Sequence, residues 1–222
     1  MSNGEGWVDI SHRLVEDIPR VAMFPSPRYR RFASMPADPM NVTSIEMVTH
    51  VGTHVDAPSH FMPSGATIDQ LPLDRFVGRG IVCRVAPTEA LGLIETDALI
   101  DRDRIEAGDI VILDTGWARQ FGQAGYHAHP SLSENLARWL VARRVKLVAV
   151  DLPTPDLAVQ VRPPGFGWPV HHILLGAEVL IAEHVTNLAA VSGQRVEALF
   201  APLCIAGADG APVRALVRAL RR

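Results

Sequence analysis

Between His50 and His60 the chain reads HVGTHVDAPSH, and this run restricts the local fold more than any other. One continuous helix suits it poorly, because Pro58 would end the helix and Asp56 would rotate away from the face shared by His50 and His54. On an extended strand, His50, Gly52, His54 and Asp56 fall on one face, while Val51, Thr53 and Val55 fall on the other and suit a core. Gly52 then removes the side chain that would stand between the two histidines and leaves space for an ion. A straight strand would separate the Cα atoms of His50 and His54 by about 13 Å, at ~3.3 Å per residue. That span is near the limit for two imidazoles sharing one ion, so a bend or bulge is expected at Gly52-Thr53.

Imidazole and carboxylate are the ligand types that suit zinc and similar divalent metals. The chain has nine histidines in 222 residues, so three of them within eleven positions constitute a cluster. His50, His54 and Asp56 read as half of a metal centre, and the two oxygens of Asp56 allow it to bridge two ions. His60 lies beyond Pro58, where strand periodicity stops, and is the candidate for a proton-shuttling histidine near the metal. A histidine-rich loop bonded only to its own backbone is the simpler reading for one such residue, but not for all four together.

The second candidate region is Trp168 to Leu188, WPVHHILLGAEVLIAEHVTNL, with His171, His172, Glu178, Glu183 and His184. Pro169 and Val170 lead into a short helical segment, and VLIAE reads as a strand. A carboxylate at the end of an apolar strand is costly unless paired or bound to a metal, which singles out Glu183. Composition does not choose between His171 and His172, and it leaves Glu178 open as a surface residue.

The surrounding chain predicts a single α/β domain over residues 1–222, with a mixed sheet and helices packed outside. Gly80–Ala86, Asp109–Asp114 and Lys146–Asp151 read as buried strands. Ser131 and Glu134 suggest a capping box, followed by a helix with Leu132, Leu136, Trp139, Leu140 and Val141 on one face. ALVRALRR predicts a short basic surface helix at the C-terminus. Cys83 and Cys204 sit in apolar surroundings and read as buried, reduced thiols. A net charge of −3 gives no reason to expect nucleic acid or membrane as a partner. No secretory signal or membrane span is visible, so a cytoplasmic protein is expected.

HVGTHVDAPSHF matches, at every specified position, the H-x-G-T-H-x-D-A-P-x-H-F signature of the cyclase-type metal-dependent hydrolases, a family that includes bacterial kynurenine formamidases and isatin hydrolases. The opening WVDISHRLVEDIP, the runs DTGW and VDLPTPD, the H-x-x-L-L segment at His171, the Glu183 element and GADGAPVRAL also resemble the family in order. The first motif is highly specific and the others are individually weak. The resemblance implies a swivelling β/β/α domain assembled as homodimers or homotetramers, with sites near subunit contacts. It also implies metal ligands His50, His54, Asp56, His171 and Glu183, with Asp56 bridging, and a catalytic His60. His171 is preferred to His172 because it alone fits both H-x-x-L-L and the spacing to Glu183. VAMFPSP (residues 21–27), Asp114 before Thr115, and QVRPPGFGWPV before His171 depart from the family's pattern, and the expectation is that such regions shape the substrate pocket.

The function expected is hydrolysis of a small amide, aryl formamide or cyclic amide by a metal-activated water, with one or two Zn²⁺ ions or Mn²⁺ as the alternative. A metal-dependent cyclase or lyase is the nearest rival, followed by a non-catalytic metal- or ligand-binding protein. A structural zinc domain is disfavoured, since neither cysteine lies in a ligand motif. Phe24, Phe61, Phe166 and Trp168 lie near these motifs or in the divergent regions. Ordinary packing is their simpler role and an aryl pocket the alternative.

Overall fold

A computed structural model of the chain describes residues 6–220. Residues 1–5, where the reading of no secretory signal begins, and 221–222, the end of the expected C-terminal helix, lie outside the described residues. In chain order the strands are β1 (Trp7–Asp9), β2 (Arg28–Ala33), β3 (Val42–Glu46), β4 (His54–Asp56), β5 (Val77–Arg84), β6 (Leu93–Ile94), β7 (Ile110–Asp114), β8 (Ser131–Leu132), β9 (Leu147–Val150), β10 (Leu180–Glu183), β11 (Arg195–Leu199), β12 (Gly210–Pro212) and β13 (Leu216–Ala219). The α-helices are α1 (Glu134–Ala142) and α2 (Pro169–Gly176). Nine strands form one mixed sheet in the order β1-β13-β11-β5-β7-β9-β10-β4-β12, while β2-β3 and β6-β8 are separate ribbons.

The centre of the sheet is parallel from β5 through β7 and β9 to β10. These strands read as nearly continuous apolar runs because both of their faces are buried. On one face, Ile81, Val111, Leu113, Val148 and Ile181 pack with Leu136 and Leu140 of α1 and Leu174 and Leu175 of α2. On the other, Val82, Ile112, Ala149 and Ala182 pack with Phe76, Phe200 and Val55 of β4. The predicted mixed sheet with helices outside is therefore the observed architecture. The three predicted strands correspond to β5, β7 and β9.

Several local expectations need correction. Ser133, not Ser131, caps α1: its Oγ accepts the Leu136 N–H at 3.0 Å. Ser131 is held in an extended ribbon beside β6, so the chain cannot turn until two residues later. Residues 216–219 of the expected C-terminal helix form β13, hydrogen-bonded between β1 and β11. There Val217 is fully buried, and pairing on both edges outweighs the helical propensity of a short segment. Cys83 is buried as expected, but Cys204 is exposed. Only His54–Asp56 of the histidine run is strand; His50 lies before a turn. Among the described residues, no helix is long and apolar enough to cross a membrane.

Candidate metal centre

The site is assembled by the short strand β4, which is antiparallel to β10 on one side and to β12 on the other. Its register puts Glu183 directly opposite His54, and Gly210 opposite Asp56. The first pairing brings a carboxylate from the second half of the chain to the histidine run. The second places Asp209 next to the run's other end.

Gly52 bends the chain as expected, but for a different reason. Its φ is +61°, and a Cβ there would lie 2.5 Å from Leu14 Cδ2 and 3.1 Å from Ile18 Cδ1. The space beside Gly52 is thus filled by apolar side chains, not reserved for an ion. The turn brings the His50 and His54 rings to 5.2 Å between centroids, edge to face. It also lets His54 Nδ1 donate to the Gly52 carbonyl at 2.8 Å, which leaves Nε2 with its lone pair.

That Nε2 lies 3.3 Å from Asp56 Oδ1 and 3.4 Å from Glu183 Oε2. His171 Nε2 lies 3.6 Å from Asp56 Oδ2 and 3.4 Å from Glu183 Oε1. His50 Nδ1 is 2.8 Å from Asp56 Oδ1. The five residues expected as ligands therefore converge, with Asp56 facing His50, His54 and His171, and Glu183 facing His54 and His171. His60 comes to the same place: its ring stacks on His50 at 3.8 Å and stands 6.0 Å from His171. His172 and Glu178 are exposed, so the fold itself separates His171 from its neighbour. His184 is buried but turns away at φ +56°, with Nδ1 2.8 Å from the Tyr126 hydroxyl.

Two carboxylates of the site lay beyond the sequence reading. Asp209 Oδ2 is 2.9 Å from His50 Nε2 and 3.3 Å from His60 Nδ1, while its Oδ1 accepts the Thr49 hydroxyl at 2.9 Å. Asp156 Oδ2 is 2.6 Å from His171 Nδ1. Its two oxygens also accept the N–H groups of Val170 and His171, each at 3.0 Å, closing the first turn of α2. Both aspartates sit in runs that resemble the family, GADGAPVRAL and VDLPTPD. That was the available signal, but nothing local attaches either run to a histidine.

The electrostatics favour positive charge at this point. Burial opposes ionisation of His50, yet hydrogen bonds to Asp209 and Asp56 carry it up to about 10. Burial likewise opposes a charged His171, while Asp156, Asp56 and Glu183 raise it well above the ordinary value. Desolvation acts to raise Asp56, but His171 and His50 hold it well below the usual carboxylate range. Hydrogen bonding to His50 likewise keeps Asp209 low. His60 behaves oppositely: burial pushes it down to about 4.

The donor set fits a divalent cation. His54 Nε2 and Asp56 Oδ2 are buried without a hydrogen-bond partner. Orphaned buried polar atoms are costly unless something satisfies them, and both point into a cluster of imidazole nitrogens and carboxylate oxygens. His50, His54 and Asp56 offer ligand atoms within 4.8 Å of one another, as do Asp56, His60 and His171.

Aromatic rings flank one side of the site. Phe61 lies 4.5 Å from His171 and 6.0 Å from Trp168, which is 5.6 Å from Phe166. Of the four aromatic residues considered from the sequence, Phe24 alone makes no ring contact with this group among the described residues.

A mixed sheet thus gathers imidazoles and carboxylates around buried unpartnered atoms, a donor set of the kind that suits a divalent cation, within an α/β protein. Residues 8–157 match the family model described as "Putative cyclase", and the chain belongs to that family. It is 31% identical over 213 residues to the kynurenine formamidase of Geobacillus thermodenitrificans, covering 96% of this chain and 97% of that one. A solved structure titled as a potential metal-dependent hydrolase with cyclase activity has a TM-score of 0.79 at 26% identity, covering 97% of this chain and 98% of its own. Isatin hydrolase A of Labrenzia aggregata shares the fold, with a TM-score of 0.84 at 22% identity over 97% of this chain and 94% of that one.

Proposed function

We propose that this protein is a metal-dependent hydrolase of small non-peptide amides, with aryl formamides and cyclic amides as the substrate classes. The observation that carries this reading is the convergence of His50, His54, Asp56, His171 and Glu183 on two orphaned buried atoms, with His60 beside them. The similarity to a kynurenine formamidase supports amide cleavage. The match to a potential metal-dependent hydrolase supports the need for a metal.

His50, His54 and Asp56 would hold one divalent ion, and His171 and Glu183, with Asp56, would hold a second if two bind. Zinc or manganese suits this donor set. When bound, such an ion supplies Lewis-acid polarisation of a carbonyl and acidifies water. The remaining work falls to the chain's own groups. His60 is neutral near pH 7 because it is largely buried, so Nε2 can accept a proton and return it to the leaving nitrogen. Asp209, facing Nδ1, stabilises the ring once it is charged. Asp156 fixes the orientation of His171, and Gly52 that of His54. Phe61 covers His171 and keeps bulk water from that side.

A homodimer or homotetramer is part of the same reading. The β2–β3 ribbon, with exposed Phe32 and Ile45, supports it. Sedimentation velocity tests that point separately.

Elemental analysis of the purified protein, combined with turnover of formanilide and isatin before and after chelation, tests the function. One or two equivalents of zinc or manganese, and a product heavier than substrate by one water, is the expected result. A product without added water would favour the cyclase or lyase reading. No metal even after soaking would sink the proposal.

A further inference from the structure

Residues 157–168 form a loop that leaves Asp156 and returns to Val170, and one carboxylate holds both ends. Asp156 begins the loop, and its oxygens accept the N–H groups of Val170 and His171 where the loop ends. The same carboxylate faces His171 Nδ1 at 2.6 Å, so the loop is anchored directly on a candidate metal ligand. Loops closed in this way are compact, packed by their own side chains, and often functional.

The side chains inside this loop are ordered toward the site. The Arg162 guanidinium carbon lies 5.2 Å from the centre of the Phe166 ring and 5.3 Å from that of Trp168. Trp168 in turn approaches Phe61, and Phe61 packs on His171. An unbroken series of rings therefore joins the guanidinium to the metal centre. Trp168 adopts φ +46° and ψ +58°, a left-handed conformation that a bulky residue avoids unless its surroundings impose it. Arg162 Nε donates to the Leu157 carbonyl at 2.7 Å, which fixes the side chain. Among the described residues, Arg162 forms no ion pair. Desolvation pushes it below its ordinary value, while the negative field of Asp156 and Glu183 opposes that shift. A positioned, partly desolvated guanidinium without a carboxylate partner is suited to taking one from a ligand.

On this geometry, and resting on the amide-hydrolase reading above, we propose that Arg162 receives a carboxylate carried on the aromatic ring of the substrate, so that the preferred substrates are anionic aryl amides. The substrate ring lies along Phe61 and Trp168, its carboxylate reaches Arg162, and its amide faces His60 and the metal ligands. A flat neutral amide can occupy the same wall but leaves the guanidinium unused.

The test compares the metal-loaded protein with its Arg162→Gln variant on formanilide and 4-carboxyformanilide. The ratio of kcat/KM for the carboxylated over the neutral substrate should fall by about tenfold, the size of one charge-assisted hydrogen bond. Arg162→Lys should recover part of the ratio, because it keeps the charge but loses the planar fork. An unchanged ratio overturns the proposal. Calorimetric binding of benzoate and benzamide gives a second readout that needs no turnover. The native protein should prefer benzoate, and Arg162→Gln should lose that preference; equal loss for both probes, or no loss, overturns the assignment. If the native protein cleaves neither formanilide yet shows the Arg162-dependent benzoate preference, the amide-hydrolase reading fails while the anion site stands.

Discussion

The Asp156 carboxylate touches His171 two ways, facing the ring nitrogen Nδ1 at 2.6 Å and accepting the residue's own N–H at 3.0 Å, and it also accepts the N–H of the preceding Val170 at 3.0 Å. Ring orientation and helix start are therefore set by one group. Asp156→Asn keeps one acceptor oxygen in place of two, so it loses one of the backbone hydrogen bonds as well as the negative charge behind the His171 ring. Its metal affinity should fall by roughly 10–100-fold, the usual cost of losing a carboxylate behind a histidine ligand. Competition with a fluorescent chelator measures this. Native affinity in the variant would show that Asp156 serves only the helix.

His60 and Asp209 should act as a unit. His60→Ala should keep its metal and lose about 10²–10⁴ in kcat, the range for a general acid–base group. Asp209→Asn should cost less, because it acts through His60 and His50. In the His60→Ala background the Asp209→Asn change should cost less still, since one of its two targets is gone. Strict additivity of the two losses would separate Asp209 from His60.

Gly52 tolerates no side chain. At φ +61°, with Leu14 Cδ2 2.5 Å from the position of an added Cβ, Gly52→Ala combines a left-handed alanine with an apolar clash. A loss of about 1–3 kcal/mol in unfolding free energy is expected from the backbone strain alone. Urea denaturation reads it directly. A variant as stable as the native chain would mean the turn can rearrange.

Asp151 gives a pH signature through a carboxyl that is not among the candidate ligands. Burial raises its carboxyl to about 6, even though Thr115 and Ala118 donate to it. Because the folded value lies above the unfolded one, the native state holds more protons between pH 4 and 6. This group's contribution therefore falls as pH rises through that window and stays low above it. A rise from 3.8 to about 6 corresponds to roughly 3 kcal/mol. Asp151→Asn cannot ionise, so its stability relative to the native chain should increase from pH 4 to pH 7. Denaturant melts at four pH values test this; a difference that does not vary with pH contradicts it.

Ligand chemistry was legible in the chain because it is local. HVGTHVDAPSH carries its donors within eleven residues, and the need to bend at Gly52 follows from strand dimensions alone. The apolar runs that became β5, β7 and β9 were legible for a similar reason, since a strand buried on both faces must be apolar throughout. The errors fell where neighbouring sequence permits two answers. SLS offers two caps, and only the β6–β8 ribbon decides for Ser133. ALVRAL fits a helix or a strand, and the open position between β1 and β11 decides for the strand.

The sequence by itself determined which donors are present and that they lie in two distant segments; His171 was preferred to His172 only through the family resemblance. Only the tertiary structure decided how the donors meet. The antiparallel register of β4 sets Glu183 against His54 on one side and brings Asp209 alongside Asp56 on the other. Register between strands more than a hundred residues apart depends on which buried faces fit together across the whole sheet, and no local spacing encodes that. The same holds for Arg162, whose place beside Trp168 depends on Asp156 closing both ends of its loop.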